Sequence, residues 1–345
     1  MTSPIKPVDL RSDTVTRPSP EMLEAMFNAK VGDDVLEEDQ TVNQLESKAA
    51  DMFGMEAGIF CPSGTMTNQI AIKLFTQPGD EVVCDSLSHI YNYEGGGIAF
   101  NSGASVKLLN GNKGRFTASD VLENIHPDNV HFPRTSLVSI ENTSNRGGGC
   151  CWDFQEIIRI QELCKANKLF FHLDGARIFN ALEETTETAA DYGKVFDSIS
   201  VCLSKGLGSP VGSVLLGNKE MIKRAKRFRK VMGGGMRQAG YLAAAGIYAL
   251  DYNIQRLKED HLNAKILGDA VSELDFVNDV FPIETNIVVF KLDDSMPSEK
   301  FIKLLDEKGV KVVPFGKQTI RMVTHLDVLR ADVEFVQGVV VKLAY

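Results

Sequence analysis

The chain of 345 residues has no apolar run near the roughly 20 residues that a membrane-spanning helix requires. Its opening segment, Met1 to Asp13, lacks a basic stretch followed by an apolar core, so no secretory leader is expected. It has no internal repeat, low-complexity tract or polar linker. Six cysteines, at 61, 84, 150, 151, 164 and 202, form no CxxC pair and no zinc-ligand spacing. Several lie inside apolar stretches, as small buried hydrophobes do, and a reducing, cytoplasmic compartment is the expectation. Positive charge is not in excess either. A net charge of −9 speaks against a general nucleic-acid surface. The one basic run, Lys223 to Lys230, reads as a solvated or subunit-facing helix surface. Neither a nucleic acid nor a membrane is expected as a partner.

What is present is an alternation of helical patterns with short β-rich runs. Residues 20–29, 42–53 and 64–75 carry helical spacing, the last preceded by Ser63 as an N-cap and closed by Pro78-Gly79. Residues 81–84, 136–140, 169–173, 197–203 and 213–216 are apolar on both faces, as central, mostly parallel strands covered by helices must be. The spacing predicts further helices over 154–168 and 236–253. After these, helices at 263–274 and 298–308 alternate with strands at 287–292, 310–313 and 320–323. The expectation is an α/β protein with a large domain over residues 1–250, N-terminal segment included, and a small C-terminal α+β domain over 251–345.

Open α/β sheets bind ligands at the carboxyl ends of their strands, so the residues following each strand matter most. Leu173 is followed by Asp174-Gly175-Ala176-Arg177, which by itself reads more readily as a structural salt bridge than as a site. The next strand ends in Ser204-Lys205-Gly206-Leu207-Gly208. A lysine there is either a solvated amine in a turn or the desolvated amine that a Schiff base requires. Pro62-Ser63-Gly64-Thr65 opens a helix, where free N–H groups and hydroxyls make either an ordinary cap or an anion site. His89 follows its strand by a few residues. Together the four fit one cofactor. Pyridoxal phosphate (PLP) needs a lysine for its aldehyde, a carboxylate for its ring nitrogen, an anion pocket and a flat group against its ring. Lys205, Asp174, Ser63-Gly64-Thr65 and His89 offer these in turn.

The sequence also resembles a known family, the low-specificity L-threonine aldolases, which have the aspartate-aminotransferase-like fold type I of PLP enzymes. The matching segments are Asp9 to Pro18, Val31 to Val35, Pro62 to Thr65, Glu141-Asn142-Thr143, His172 to Arg177, Cys202 to Gly208, Gly233 to Gln238 and Arg321 to Asp327, in family order along nearly the whole chain. The resemblance implies that Lys205 joins the cofactor aldehyde, Asp174 pairs with the pyridine nitrogen, Arg177 contacts the ring hydroxyl and His89 stacks on the ring. It further implies that Gly64 and Thr65 hold the phosphate, and that Arg237 and Lys230 reach a neighbouring subunit's phosphate in a homotetramer. Ser12, Arg321 and Arg177 would bind the substrate carboxylate, and His131 would lie near the substrate β-hydroxyl. The chain departs from the family in two places. Leu36-Glu37-Glu38-Asp39-Gln40 stands where many members have Tyr-Gly-Glu-Asp-Pro, and Ser144 replaces a frequent histidine. Both departures bear on side-chain preference.

The implied reaction is cleavage of the Cα–Cβ bond of L-threonine, L-allo-threonine or a related β-hydroxy amino acid to glycine and an aldehyde. His131 is the first choice for the base, with His89 or a bound water as competitors. Racemisation or β-elimination on the same scaffold is the alternative enzyme reading. A non-catalytic binder, or a thiol or metal enzyme using Cys150 and Cys151, is weaker on these residues.

Overall fold

The computed structural model describes residues 7–343. Its strands, in chain order, are β1 (Val8–Asp9), β2 (Ala57–Cys61), β3 (Asp80–Asp85), β4 (Ser105–Leu109), β5 (Arg134–Glu141), β6 (Phe170–Gly175), β7 (Ser198–Cys202), β8 (Ser213–Gly217), β9 (Val277–Val280), β10 (Ile287–Leu292), β11 (Val310–Lys311), β12 (Val313–Gly316) and β13 (Thr319–Val323). The large sheet has the order β2-β8-β7-β6-β5-β3-β4. Neighbours from β7 through β4 pair in parallel, and β8 runs antiparallel to both β7 and β2. It is therefore the mostly parallel sheet that the two-faced apolar runs demand. Strands β3, β7 and β8 are buried along their whole length, which is why they show no alternation in sequence.

Six strands (β2, β3, β4, β5, β6 and β7) deliver their carboxyl ends to one edge. Helix Gly64–Phe75 begins there after β2, with the Ser63 hydroxyl accepting from the Met66 N–H as its cap. The turn after β7 is set by Gly208, whose φ of +80° suits glycine, and whose N–H donates to the Lys205 carbonyl at 2.8 Å. A Cβ at that position would stand 2.8 Å from Leu326 Cδ2, so a side chain is excluded on both counts.

A second core lies around a four-stranded antiparallel sheet, β12-β13-β10-β9, covered by helices Leu257–Ser272, Ser298–Glu307 and Arg330–Val341. Val8 and Leu10 belong to this core, and β1 pairs in parallel with β11. The N-terminal segment, expected with the large domain, is thus packed on the small one. Its short apolar pair, Val8 and Leu10, has too little length to show a strand period. The run read as one strand over 310–313 is two, β11 and β12. The basic run lies in helix Lys219–Val231, but it is not wholly solvated. Arg229 turns inward, donating to the Phe60 carbonyl at 2.7 Å and pairing with Asp34 at 2.9 Å.

Candidate active site

The strand ends enclose a cleft of about 150 Å³ lined by Thr14, Gly64, Thr65, Asn68, His89, Asp174, Ala176, Cys202, Ser204 and Lys205. Six of the residues singled out from sequence meet here or at its rim: Gly64, Thr65, His89, Asp174 and Lys205 line it, and Ser63 caps the helix at its edge. Asp174 is buried and held at both oxygens, by the Ala176 N–H at 3.2 Å and by Asn68 Nδ2 at 3.0 Å. Asn68 Nδ2 also donates to Glu94 Oε1 at 2.9 Å, and Gln69 Nε2 donates to Glu94 Oε2 at 2.6 Å. With both Nδ2 hydrogens spent on carboxylates, Asn68 Oδ1 is left to accept from His172 Nε2, 3.1 Å away. His172 Nδ1 then accepts from the Ser198 hydroxyl at 2.7 Å. Burial lowers the His172 imidazole to about 4 against the pull of Asp174, so it is neutral and the tautomer is fixed.

His89 is anchored twice. Its N–H donates to Glu141 Oε2 at 2.9 Å, and its Nδ1 lies 3.1 Å from Glu94 Oε1. Burial would lower its pKa, but the Glu94 hydrogen bond and the charges of Asp174 and Glu141 outweigh it, and the net direction is upward. Glu141, wholly buried, is shifted up by desolvation and by Asp174 beside it. His89, Glu94 and Asp174 also bring three donor atoms within 4.8 Å of one another. Their contacting atoms are hydrogen-bonded to Asn68, Gln69 and Ala176 or to each other, so the cluster is part of one hydrogen-bond network.

The other wall comes from the N-terminal segment and the small domain. Arg177 makes a bidentate pair with Asp13, Nε to Oδ2 and Nη2 to Oδ1, both at 2.7 Å. Burial would raise the Asp13 carboxyl, but Arg177 and then Lys205 hold it down at about 2. Arg321 donates from Nη1 to Asn145 Oδ1 and from Nη2 to the Arg11 carbonyl, both at 2.9 Å. Its Nε is buried without a partner among the described residues. Burial, then the neighbouring Arg177, lowers the Arg321 guanidinium to about 10. Ser12 stands next to this contact, its hydroxyl accepting from Thr14 Oγ1 at 2.8 Å.

Three expected residues are elsewhere in the chain. His131 is exposed, three residues before β5, where its N–H donates to Asn129 Oδ1 at 3.0 Å. The cleft lies at the other end of that eight-residue strand, about 25 Å away at roughly 3.3 Å per residue. His131 is therefore not the base of its own subunit's cleft. Arg237 is exposed and paired with Asp33 at 2.8 Å, and Lys230 is exposed on its helix. Neither lines the cleft of its own chain.

The donor set fits PLP. The N–H groups of Gly64 and Thr65 at the start of their helix have no backbone acceptor among the described residues, which leaves an anion cradle flanked by the Thr65 and Ser204 hydroxyls. A fixed carboxylate, a lysine and an imidazole face the same space. Sequence reasoning missed Asp13, Thr14, Asn68, Glu94 and Glu141. Asp13 and Glu141 sat inside quoted motifs, whereas Asn68 and Glu94 lie mid-helix and in a loop, with no local signal.

The fold is an α/β one, and the sequence profile of the beta-eliminating lyase family matches residues 9–295, which makes the protein a lyase. Within that class the chain belongs to the low-specificity L-threonine aldolase family. It is 43% identical over 326 residues to the low specificity L-threonine aldolase of Escherichia coli (strain K12), covering 94% of this chain and 95% of that one. It is 38% identical over 338 residues to low-specificity L-threonine aldolase 1 of Arabidopsis thaliana, covering 96% and 94%. In fold it matches the threonine aldolase of Leishmania major with a TM-score of 0.86 at 22% identity, over 98% of this chain and 100% of that one. It also matches an SPT structure holding a PLP internal aldimine with a TM-score of 0.75 at 17% identity, over 97% and 87%.

Proposed function

We propose that the protein is a PLP-dependent aldolase that cleaves L-threonine, L-allo-threonine and related β-hydroxy-α-amino acids to glycine and an aldehyde. The observation that carries this is the convergence of Lys205, Asp174, His89 and the Gly64-Thr65 cradle on one cleft, with Arg321 bonded to Asn145 and to the Arg11 carbonyl on the adjoining segments. Lys205 would hold the cofactor aldehyde, Asp174 its ring nitrogen, and Gly64, Thr65 and the Ser63 turn its phosphate. When bound, the cofactor supplies an electron sink for the pair left on Cα as the Cα–Cβ bond breaks.

The chain's own residues do the rest. Asp174, fixed by Asn68 and Ala176, presents a negative charge that holds a proton on its ring partner. His89 would hold the cofactor ring, and its ring nitrogen away from Glu94 would take the β-hydroxyl proton, directly or through a water. Arg321 and Ser12 grip the substrate carboxylate, which orients the Cα–Cβ bond. Arg177, committed to Asp13, serves mainly to set the floor under that carboxylate. The enzyme works as a cytoplasmic homo-oligomer, a tetramer by family resemblance, with sites shared between subunits. In support, Arg237 and Lys230 stand away from their own cleft, and the side chains of Phe27 and Val231 are 85% and 86% exposed.

Purified, cofactor-loaded protein incubated with L-threonine and with L-allo-threonine is expected to release acetaldehyde, and Lys205→Ala to release none. A protein that binds the cofactor but yields no aldehyde from either substrate would overturn the aldolase reading and turn attention to alanine racemisation and serine β-elimination.

A further inference from the structure

One cation near Arg321 has no protein counter-charge among the described residues. Arg146 is half-buried in the loop between β5 and helix Phe154–Ala166, and among the described residues its guanidinium forms neither a salt bridge nor a side-chain hydrogen bond. Its contact is the face of Phe315, 4.0 Å from guanidinium carbon to ring centroid. Arg321 meets the same ring at 5.0 Å, so the two guanidinium groups lie within the sum of those distances of each other. The place of Arg146 is not accidental loop geometry. Its neighbour Asn145 is tied to Glu141 Oε1 through its N–H and to Arg321 through its side chain, both at 2.9 Å. Further along the loop, Thr285 donates to the Gly149 carbonyl at 2.7 Å and the Cys151 N–H to Glu284 Oε2 at 2.7 Å.

Two guanidinium groups stacked on one phenyl ring repel each other, and an isolated cation partly out of water costs free energy. An arrangement of this kind is relieved by a ligand that brings two negative charges. We infer that Arg146 is a second anion handle, so that the site takes β-hydroxy amino acids whose side chain ends in a carboxylate, 3-hydroxyaspartate being the shortest. The α-carboxylate sits on Arg321 and the distal carboxylate on Arg146, with Phe315 holding both cations at a fixed spacing. This rests on the aldolase reading above. In the reaction the Cα–Cβ bond breaks, its electron pair stays with Cα and takes up a proton to give glycine. The β-hydroxyl loses its proton and the departing carbon leaves as glyoxylate.

The test compares kcat/KM for L-threonine and for both diastereomers of L-3-hydroxyaspartate in the wild-type holoenzyme and in Arg146→Met, which keeps the stem and removes the charge. Glyoxylate release by the wild type is expected. The ratio of hydroxyaspartate to threonine kcat/KM should fall roughly tenfold or more in the variant, the scale of a lost hydrogen bond to a charged group. An unchanged ratio, or threonine cleavage with no glyoxylate from the wild type, overturns the inference and leaves the aldolase reading intact. Failure on threonine itself strikes that reading instead. The handle is then still decided by calorimetric titration of the holoenzyme with L-aspartate and with L-2-aminobutyrate. The wild type should favour aspartate roughly tenfold more than Arg146→Met does, and equal preference in the two proteins overturns the handle.

Discussion

On the sheet side of the cleft, Asp174, Glu94 and Glu141 have both carboxylate oxygens engaged, by Asn68, Gln69, His89, Asn145 and Ala176. Around Arg321, among the described residues, its own buried Nε has no partner and Arg146 has only an aromatic face. The first region is a finished polar network in a low-dielectric setting, where every partner rigidifies the next. The second is a set of donors short of acceptors. Full satisfaction suits groups that must stay still while charge moves above them, and open donors suit groups that await a ligand. Asp13 and Arg177 join the two regions, since Asp13 comes from the N-terminal segment on the small-domain core and Arg177 from the end of β6.

That joint offers the largest way to break the comparison. Asp13→Asn leaves the Arg177 charge buried and unpaired, and should destabilise the protein by about 3–5 kcal/mol, read as a lowered Tm. The pH dependence has a definite sign. The Asp13 carboxyl is held at about 2 in the folded protein against 3.8 ordinarily, so its stabilisation is present above pH 3.8 and is lost as pH falls toward 2. The Tm gap between wild type and variant should narrow over that window, and a gap that does not narrow would remove the Asp13 charge as the cause. Next in size, Asp174→Ala removes the charge behind the cofactor ring and should lower kcat by roughly 10²–10³-fold with the cofactor still bound, as absorbance and turnover together would show. Smaller again is Asn68→Ala, which strips one partner each from Asp174, Glu94 and His172. A loss of about 1–3 kcal/mol in thermal unfolding is expected. No loss would mean that water replaces the amide, and that the network is less closed than its distances indicate.

The two regions were also unequally legible from sequence. The sheet side announced itself because each group directly follows a two-faced apolar strand, where Asp174 and Lys205 have few structural uses. The strands themselves were readable for the same reason, although β2 and β4 were missed: Ala57 and Gly58 weaken the apolar signal of β2, and β4 is largely exposed or half-buried. Asn68 and Glu94 were invisible, because a mid-helix amide and a loop acid become partners only when tertiary packing brings residues 26 positions apart together. The outer wall was harder. Its residues come from three remote stretches, 11–13, 145–146 and 315–321, and no local period links them. The attachment of Val8 and Leu10 to the small domain, and the position of His131 at the amino end of β5, both depend on chain direction in space, which residue spacing alone does not contain.

The finest test separates the two regions by titration. Glu94 is one of the groups that raise the His89 pKa, through the contact from Oε1 to Nδ1. In Glu94→Gln that support is lost while the shape is kept, so His89 should titrate at lower pH than in the wild type. If neutral His89 accepts the β-hydroxyl proton, the acidic limb of kcat/KM for threonine moves to lower pH with its slope unchanged. Stability moves with it. A histidine whose folded pKa is raised stabilises the protein below its unfolded value near 6.5 and ceases to do so as pH climbs through the folded pKa. The variant should therefore lose Tm at acidic pH and match the wild type at alkaline pH, apart from any pH-independent cost of the amide. Because Arg321 and Arg146 lie on the other wall, the preference between threonine and 3-hydroxyaspartate should not change in Glu94→Gln. A shift in that preference would mean that the sheet-side network and the arginine wall are coupled, and the division between a finished floor and an open wall would have to be redrawn.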